Sequence, residues 1–114
     1  MLNEDRFTVT SYDALVQQHF LSTLPYWEEI YADNTVYSRI YQEPARRALA
    51  YVDKADLSPG AAVLEVGCCP GFITTGMARK GFMVSAMDTV QEMVERTKAM
   101  THQAGFGSQV FTQV

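Results

Sequence analysis

Val63-Leu64-Glu65-Val66-Gly67-Cys68-Cys69-Pro70-Gly71 reads as a strand running into a tight turn and on into a helix. Val63, Leu64 and Val66 form a short apolar run of the kind found in a strand buried on both faces, and Pro59-Gly60 just upstream marks a loop. Gly71 opens a helical pattern. Small residues in such a turn let a ligand approach the backbone, and the unpaired amides of a helix N-terminus favour an anionic group such as a carboxylate or phosphate. A ligand is therefore expected over residues 67–71.

Downstream, residues 72–80 fit a helix with Ile73, Met77 and Lys80 on one side, Gly76 allowing close packing on a sheet, and Gly81 as its stop. Phe82-Met83-Val84-Ser85-Ala86-Met87 reads as a second buried strand with Asp88 at its end. Thr89-Val90-Gln91-Glu92 has a capping-box pattern and opens a helix. Its apolar stripe is Val90, Met93, Val94, Thr97 and Met100, and Gly105 ends it. Val110-Phe111-Thr112-Gln113-Val114 has the composition of a third strand.

Upstream, Pro44 has the character of a first-turn proline. Ala45, Ala48, Leu49 and Val52 then recur at i, i+3, i+4 and i+7, which predicts an amphipathic core helix delivered by the loop at 57–60 into the first strand. Between residues 26 and 41 the chain is rich in aromatics: Tyr26, Trp27, Tyr31, Tyr37 and Tyr41, broken by the turn-like Ala32-Asp33-Asn34. Packing accounts for most of them, while a tyrosine-rich segment also suits a lid over a small ligand. Ser11-Tyr12-Asp13 can start a first helix carrying Leu15, Val16, Phe20 and Leu21, which Pro25 is expected to interrupt. Residues 1–11 read as a loose lead-in. The organisation is thus an N-terminal helical cap or lid over residues 1–43 and a strand–helix–strand–helix–strand unit over 44–114.

That alternation is the pattern of an α/β fold, a Rossmann-like doubly wound parallel sheet, here incomplete at about three strands. Ligands of such sheets bind outside the carboxyl ends of the strands, where both the glycine turn and Asp88 fall. An acidic residue about 20 positions beyond the turn is placed to accept hydrogen bonds from a ribose diol, which implies a nucleoside ligand. A dinucleotide fingerprint is not met, because the spacing is Gly67-x-Cys69-x-Gly71 and Phe72 stands where its third glycine would. A nicotinamide-dependent oxidoreductase is disfavoured on that ground, and no Gly-Lys-Ser/Thr phosphate loop follows.

Composition narrows the field further. The chain has 114 residues, 47% of them hydrophobic, enough for one compact domain with a core. Nine basic against 13 acidic residues give a formal charge of −4 with no basic cluster, which argues against nucleic acid as the primary partner. No apolar run has the length of a membrane span, and Met-Leu-Asn-Glu-Asp-Arg does not read as a signal peptide, which points to the cytoplasm. The two cysteines, Cys68 and Cys69, are adjacent, making neither a disulfide framework nor a zinc pattern, and no metal is expected. They read as reduced thiols in a turn; the sharper alternative is thiolate character in Cys69 at the helix start. His19 and His102 share no ligand spacing.

The residues 63–71, followed by Asp88-x-x-x-x-Met93, resemble the cofactor-binding half of class I S-adenosylmethionine-dependent methyltransferases, particularly bacterial small-molecule methyltransferases. The lead-in Tyr26-Trp27-Glu28-Glu29-Ile30-Tyr31 is similar to their N-terminal cap, so the resemblance spans residues 26–114. It implies S-adenosylmethionine as cofactor. Glu65, Gly67, Cys68, Cys69 and Gly71 would border its methionine moiety, Asp88 would hold the ribose hydroxyls, Met93 would pack on the adenine, and Thr89 would be a further cofactor-binding residue. The sequence differs from the family in carrying Cys69 at the middle glycine of the turn, and in supplying three strands where the family has seven. Residues that contact the acceptor would lie beyond Val114, and the expectation is the N-terminal part of a longer protein. The implied activity is methyl transfer to a small-molecule acceptor, with no catalytic base assigned. The alternative is a non-catalytic methyltransferase-like subunit or relic that binds a nucleoside or pairs with a second chain or another copy of itself to complete the sheet.

Overall fold

The computed structural model describes residues 9–114, in the order α1 (Val9–Ala32), α2 (Val36–Lys54), β1 (Ala62–Val66), α3 (Phe72–Arg79), β2 (Met83–Met87), α4 (Gln91–Gln103) and β3 (Val110–Gln113). The first eight residues of the expected lead-in lie outside the described residues, and its last three already belong to α1.

The three strands form a parallel sheet in the order β1-β2-β3. Val63, Val84 and Val110 align across it, as do Glu65, Ala86 and Thr112 two residues on. Because side chains alternate along a strand, these positions share one face. That face holds the core: Val84 and Ala86 pack with Met77 and Ala78 of α3 and with Cys68 and Phe82, and Leu49 and Val52 of α2 close the layer. Gly76 has a specific reason there, since a Cβ at that position would stand 2.7 Å from Leu49 Cδ1. α3 and α2 can meet closely only because that atom is missing.

The opposite face is uncovered, with Leu64 66%, Val66 74% and Phe111 59% exposed. This corrects the expectation that β1 is buried on both faces. Both crossovers step the same way across the sheet, so with a common right-handed sense their helices fall on the same side.

Both prolines read as helix boundaries lie inside helices: Pro25 within α1 and Pro44 within α2. Each ring removes one i→i−4 hydrogen bond, from the carbonyls of Leu21 and Ile40. Those residues are 50% and 65% exposed, so water can serve the freed carbonyls. The break between the helices falls at Asp33-Asn34, within the turn-like Ala32-Asp33-Asn34 expected from the sequence. There Asp33 accepts from the Asn34 amide and from the hydroxyls of Thr35 and Ser38, while Thr35 caps α2 by accepting from Ser38 N. Gln42 Nε2 ties the two helices by donating to the carbonyls of Ile30 at 2.7 Å and Asp33 at 2.9 Å.

Candidate functional site

At the carboxyl end of β1 the chain reverses through residues 67–71. Gly67 (φ 77°), Cys69 (φ 48°) and Gly71 (φ 98°) all take the left-handed conformation. For Gly71 this coincides with tight packing: a Cβ there would stand 2.9 Å from Thr97 Cα, a backbone atom that cannot step aside. The glycine lets the turn lie directly on α4.

The turn is held from three sides. Gly67 N and Cys68 N both donate to Met87 O, at 2.8 and 3.1 Å, joining it to the end of β2, and Gly71 N donates to Cys68 O at 3.1 Å. Thr97, fully buried on α4, donates its hydroxyl to Cys69 O at 2.6 Å, with Cys68 Sγ close behind at 3.3 Å. Asp88 accepts from Cys69 N through Oδ2 at 3.2 Å and from Val90 N through Oδ1 at 3.0 Å. The second bond does the work expected of a Thr89 capping box, since Val90 caps α4 with no side-chain bond. Every amide of the turn is therefore engaged inside the protein, Pro70 having none. Within residues 67–71 no amide is left over for a ligand; the amides the sequence reading assigned to an anion are those of the helix N-terminus that follows, at Phe72.

Beside this turn lies a cavity of about 490 Å³. Gly67, Cys69, Asp88, Thr89 and Met93 of the expected site residues line it, together with Val66, Met87, Val114 and Phe20. Its wall is apolar apart from Asp88 and Thr89, a chemistry suited to a ligand with a flat apolar part and a hydroxylated part. The structure brings the other expected residues to the turn but not to the cavity wall. Cys68 is 3% exposed in the core beneath the sheet. Gly71 faces Thr97. Glu65 points to the helical face, where its Oε2 accepts from the buried Thr74 hydroxyl at 2.9 Å.

Electrostatics follow from this burial. Desolvation pushes the Glu65 carboxyl up to about 7, against the opposing pull of the Thr74 hydrogen bond. Desolvation, joined by the negative charge of Asp88, pushes the Cys69 thiol up to about 12. Burial and the neighbouring negative charge thus both act against the helix-start thiolate considered for Cys69. Among the described residues no group of three or more His, Cys, Asp or Glu side chains could hold a metal ion, and no helix is long and apolar enough to cross a membrane.

Phe20 is the site residue that sequence reading missed. The aromatics expected as a lid do not reach the cavity wall: Tyr31 stacks on Phe72 with centroids 4.8 Å apart, and the hydroxyls of Tyr26, Tyr37 and Tyr41 hydrogen-bond to one another. Phe20 was visible only as one member of the apolar stripe of α1.

Comparison with known proteins agrees with this geometry. A family described as a methyltransferase domain matches residues 64–113. Ubiquinone biosynthesis O-methyltransferase of Xanthomonas campestris pv. campestris is 45% identical over 47 residues, which cover 41% of this chain and 20% of that protein. The same enzyme of Xylella fastidiosa is 40% identical over 47 residues, 41% of this chain and 19% of that one. Among solved structures, magnesium protoporphyrin IX methyltransferase from Synechocystis PCC 6803, with bound S-adenosylhomocysteine, superposes with a TM-score of 0.77 at 23% identity, covering 89% of this chain and 50% of that one. The matches thus span about a fifth of the curated relatives and half of the solved structure. The shared architecture is a Rossmann-like parallel sheet, here of three strands.

Proposed function

We propose, for a chain that belongs to the class I S-adenosylmethionine-dependent methyltransferases, that the cavity beside residues 67–71 binds S-adenosylmethionine and that the protein transfers its methyl group to a small molecule. One observation carries this reading: the glycine turn and Asp88, separated in sequence, meet in one cavity at the carboxyl ends of parallel strands. The residues present fit the cofactor. A cavity of about 490 Å³ is of small-ligand size. Each Asp88 oxygen accepts a single amide hydrogen bond, leaving a lone pair on each for a ribose hydroxyl. Met93 and the apolar wall suit the adenine, and Cys69 and Gly67 border the same space.

When bound, the cofactor supplies an activated sulfonium methyl group, so the protein's part is chiefly to hold donor and acceptor in line. Orientation of that kind is worth up to roughly 7–11 kcal/mol in well-aligned systems. The curated relatives are named as O-methyltransferases, which makes an oxygen nucleophile on a small molecule the first acceptor to test. The absence of a membrane-spanning helix among the described residues is compatible with the cytoplasm as the place of action.

A second reading is favoured by the uncovered sheet face, where Leu64, Val66 and Phe111 are exposed: a non-catalytic methyltransferase-like subunit that covers this face with another chain. Calorimetric titration of the folded chain with S-adenosylmethionine, and in parallel with NAD, tests the first reading. Saturable binding of S-adenosylmethionine alone is expected. Binding of neither ligand, with sedimentation showing a stable assembly, would favour the second.

A further inference from the structure

Resting on the nucleoside reading of the cavity, we propose that Phe20 supplies the aromatic surface on which the base stacks, and that α1 forms a fixed wall of the site. The other residues lining the cavity come from residues 66–114; Phe20 reaches it from α1, more than forty positions earlier in the chain. Its placement is determined by the rest of its helix. Leu24, one turn later, is 3% exposed and packs with Val90 and Met93, against which Cys69 also lies. Glu28, another turn on, pairs with Arg96 of α4 at 3.3 Å. Tyr31 stacks on Phe72 at the start of α3, with an interplanar angle of 18°.

Residues 20, 24, 28 and 31 follow the i, i+4 and i+3 spacing of one helical face. Three of them fasten α1 to the elements that bear the turn and Asp88, and the fourth meets the cavity. Phe20 keeps 39% of its surface exposed, and its only ring partner among the described residues is His19, which meets it edge-on at 5.5 Å. A flat apolar surface therefore lines a space whose other apolar walls are Met93, Met87, Val66 and Val114, with Gly67 and Cys69 of the turn at its edge and the carboxylate and hydroxyl of Asp88 and Thr89 as its strong hydrogen-bonding groups. Such a division selects a ligand with a planar heteroaromatic part beside vicinal hydroxyls. Met93, unbranched and polarizable, is adaptable enough to complete the apolar slot.

The test is calorimetric titration of the full chain and its Phe20→Ala, Phe20→Leu and Phe20→Tyr variants with S-adenosylhomocysteine and with adenosine, thermal unfolding being followed alongside. Phe20→Ala and Phe20→Leu should weaken both ligands roughly tenfold, the scale of a lost base–aromatic stack, whereas Phe20→Tyr should restore binding to within about twofold of the parent. A purely structural role would instead track side-chain volume and unfolding temperature, with Leu as good as Tyr. Parent binding matched by Phe20→Ala or Phe20→Leu within about twofold would overturn the role of Phe20 and leave the cofactor reading standing. Failure of the folded parent to bind either ligand would overturn both.

Discussion

Replacing Asp88 by Asn should destabilise the fold as well as the site, and by an amount the geometry sets. The carboxylate staples two amides: Cys69 N at 3.2 Å through Oδ2 and Val90 N at 3.0 Å through Oδ1. Asn offers one carbonyl oxygen, so one amide keeps an acceptor and the other meets an NH2 group. A hydrogen bond to a charged group contributes about 1.5–3 kcal/mol, and the surviving bond, now neutral, retains roughly half its strength. With Asp88 only partly buried the lower part of the range applies, giving a loss of about 2–3 kcal/mol against the ~5–15 kcal/mol typical of a whole domain. At an m-value of about 1.5 kcal/mol/M the urea midpoint should fall by roughly 1.5 M. Chemical denaturation followed by the fluorescence of Trp27 measures it. A midpoint within about 0.3 M of the parent would refute the stapling role and leave Asp88 as a ligand contact alone. The prediction also governs how a binding assay is done, because loss of cofactor affinity in an Asp88 variant is meaningful only where the variant is folded.

Gly71→Ala should be destabilising by about 3 kcal/mol or more, since an L side chain in the left-handed region costs roughly 1–2 kcal/mol before its clash with the Thr97 backbone is counted; a variant with parent-like thermal unfolding would show that the turn can lift off α4. Glu65, held near 7 in the fold against 4.5 unfolded, binds its proton more tightly in the native state. Stability should therefore fall by up to about 3 kcal/mol as pH rises from 4.5 through 7, then level off, and Glu65→Gln should remove that part of the slope. Denaturant midpoints that rise with pH over this window by the same amount in parent and variant would contradict it. Cys69, with its thiol near 12, should be alkylated by iodoacetamide at pH 8 at least about tenfold more slowly than a free thiol, and mass-spectrometric rates as fast as those of glutathione would refute the burial argument.

Much of the fold was legible because short-range signals and tertiary packing agree in the second part of the chain. Gly81 and Gly105 mark the ends of α3 and α4, and the strand at 110–113 follows from its composition alone. The sequence misled where a local rule met a tertiary exception. Pro25 and Pro44 look like boundaries because their rings forbid a backbone bond, but Leu24 and Ile30 on one helix and Ala45 on the other are each 3% exposed, and that burial holds the helices through their prolines. Val63, Leu64 and Val66 read as doubly buried because apolar runs do not say on which face a crossover helix will fall.

At the site, the legible residues are those whose role depends on backbone geometry. Gly67 and Gly71 are recognisable because only glycine takes their conformation cheaply, and Asp88 because it stands at a strand end about 20 positions beyond the turn, where an acid can meet a ribose. Asp88 shows how the two kinds of role can coincide: its distance from the turn suggested a ribose contact, and the structure adds that the same carboxylate assembles the turn it serves. Phe20 carried no such mark. A helix of period 3.6 makes every apolar residue of its stripe look alike, and only the anchoring of Leu24, Glu28 and Tyr31 distinguishes the one position of α1 that lines the cavity. A contact contributed by a distant helix is thus set by where that helix is fastened, and the fastenings involve partners more than forty residues away, beyond the reach of any local pattern.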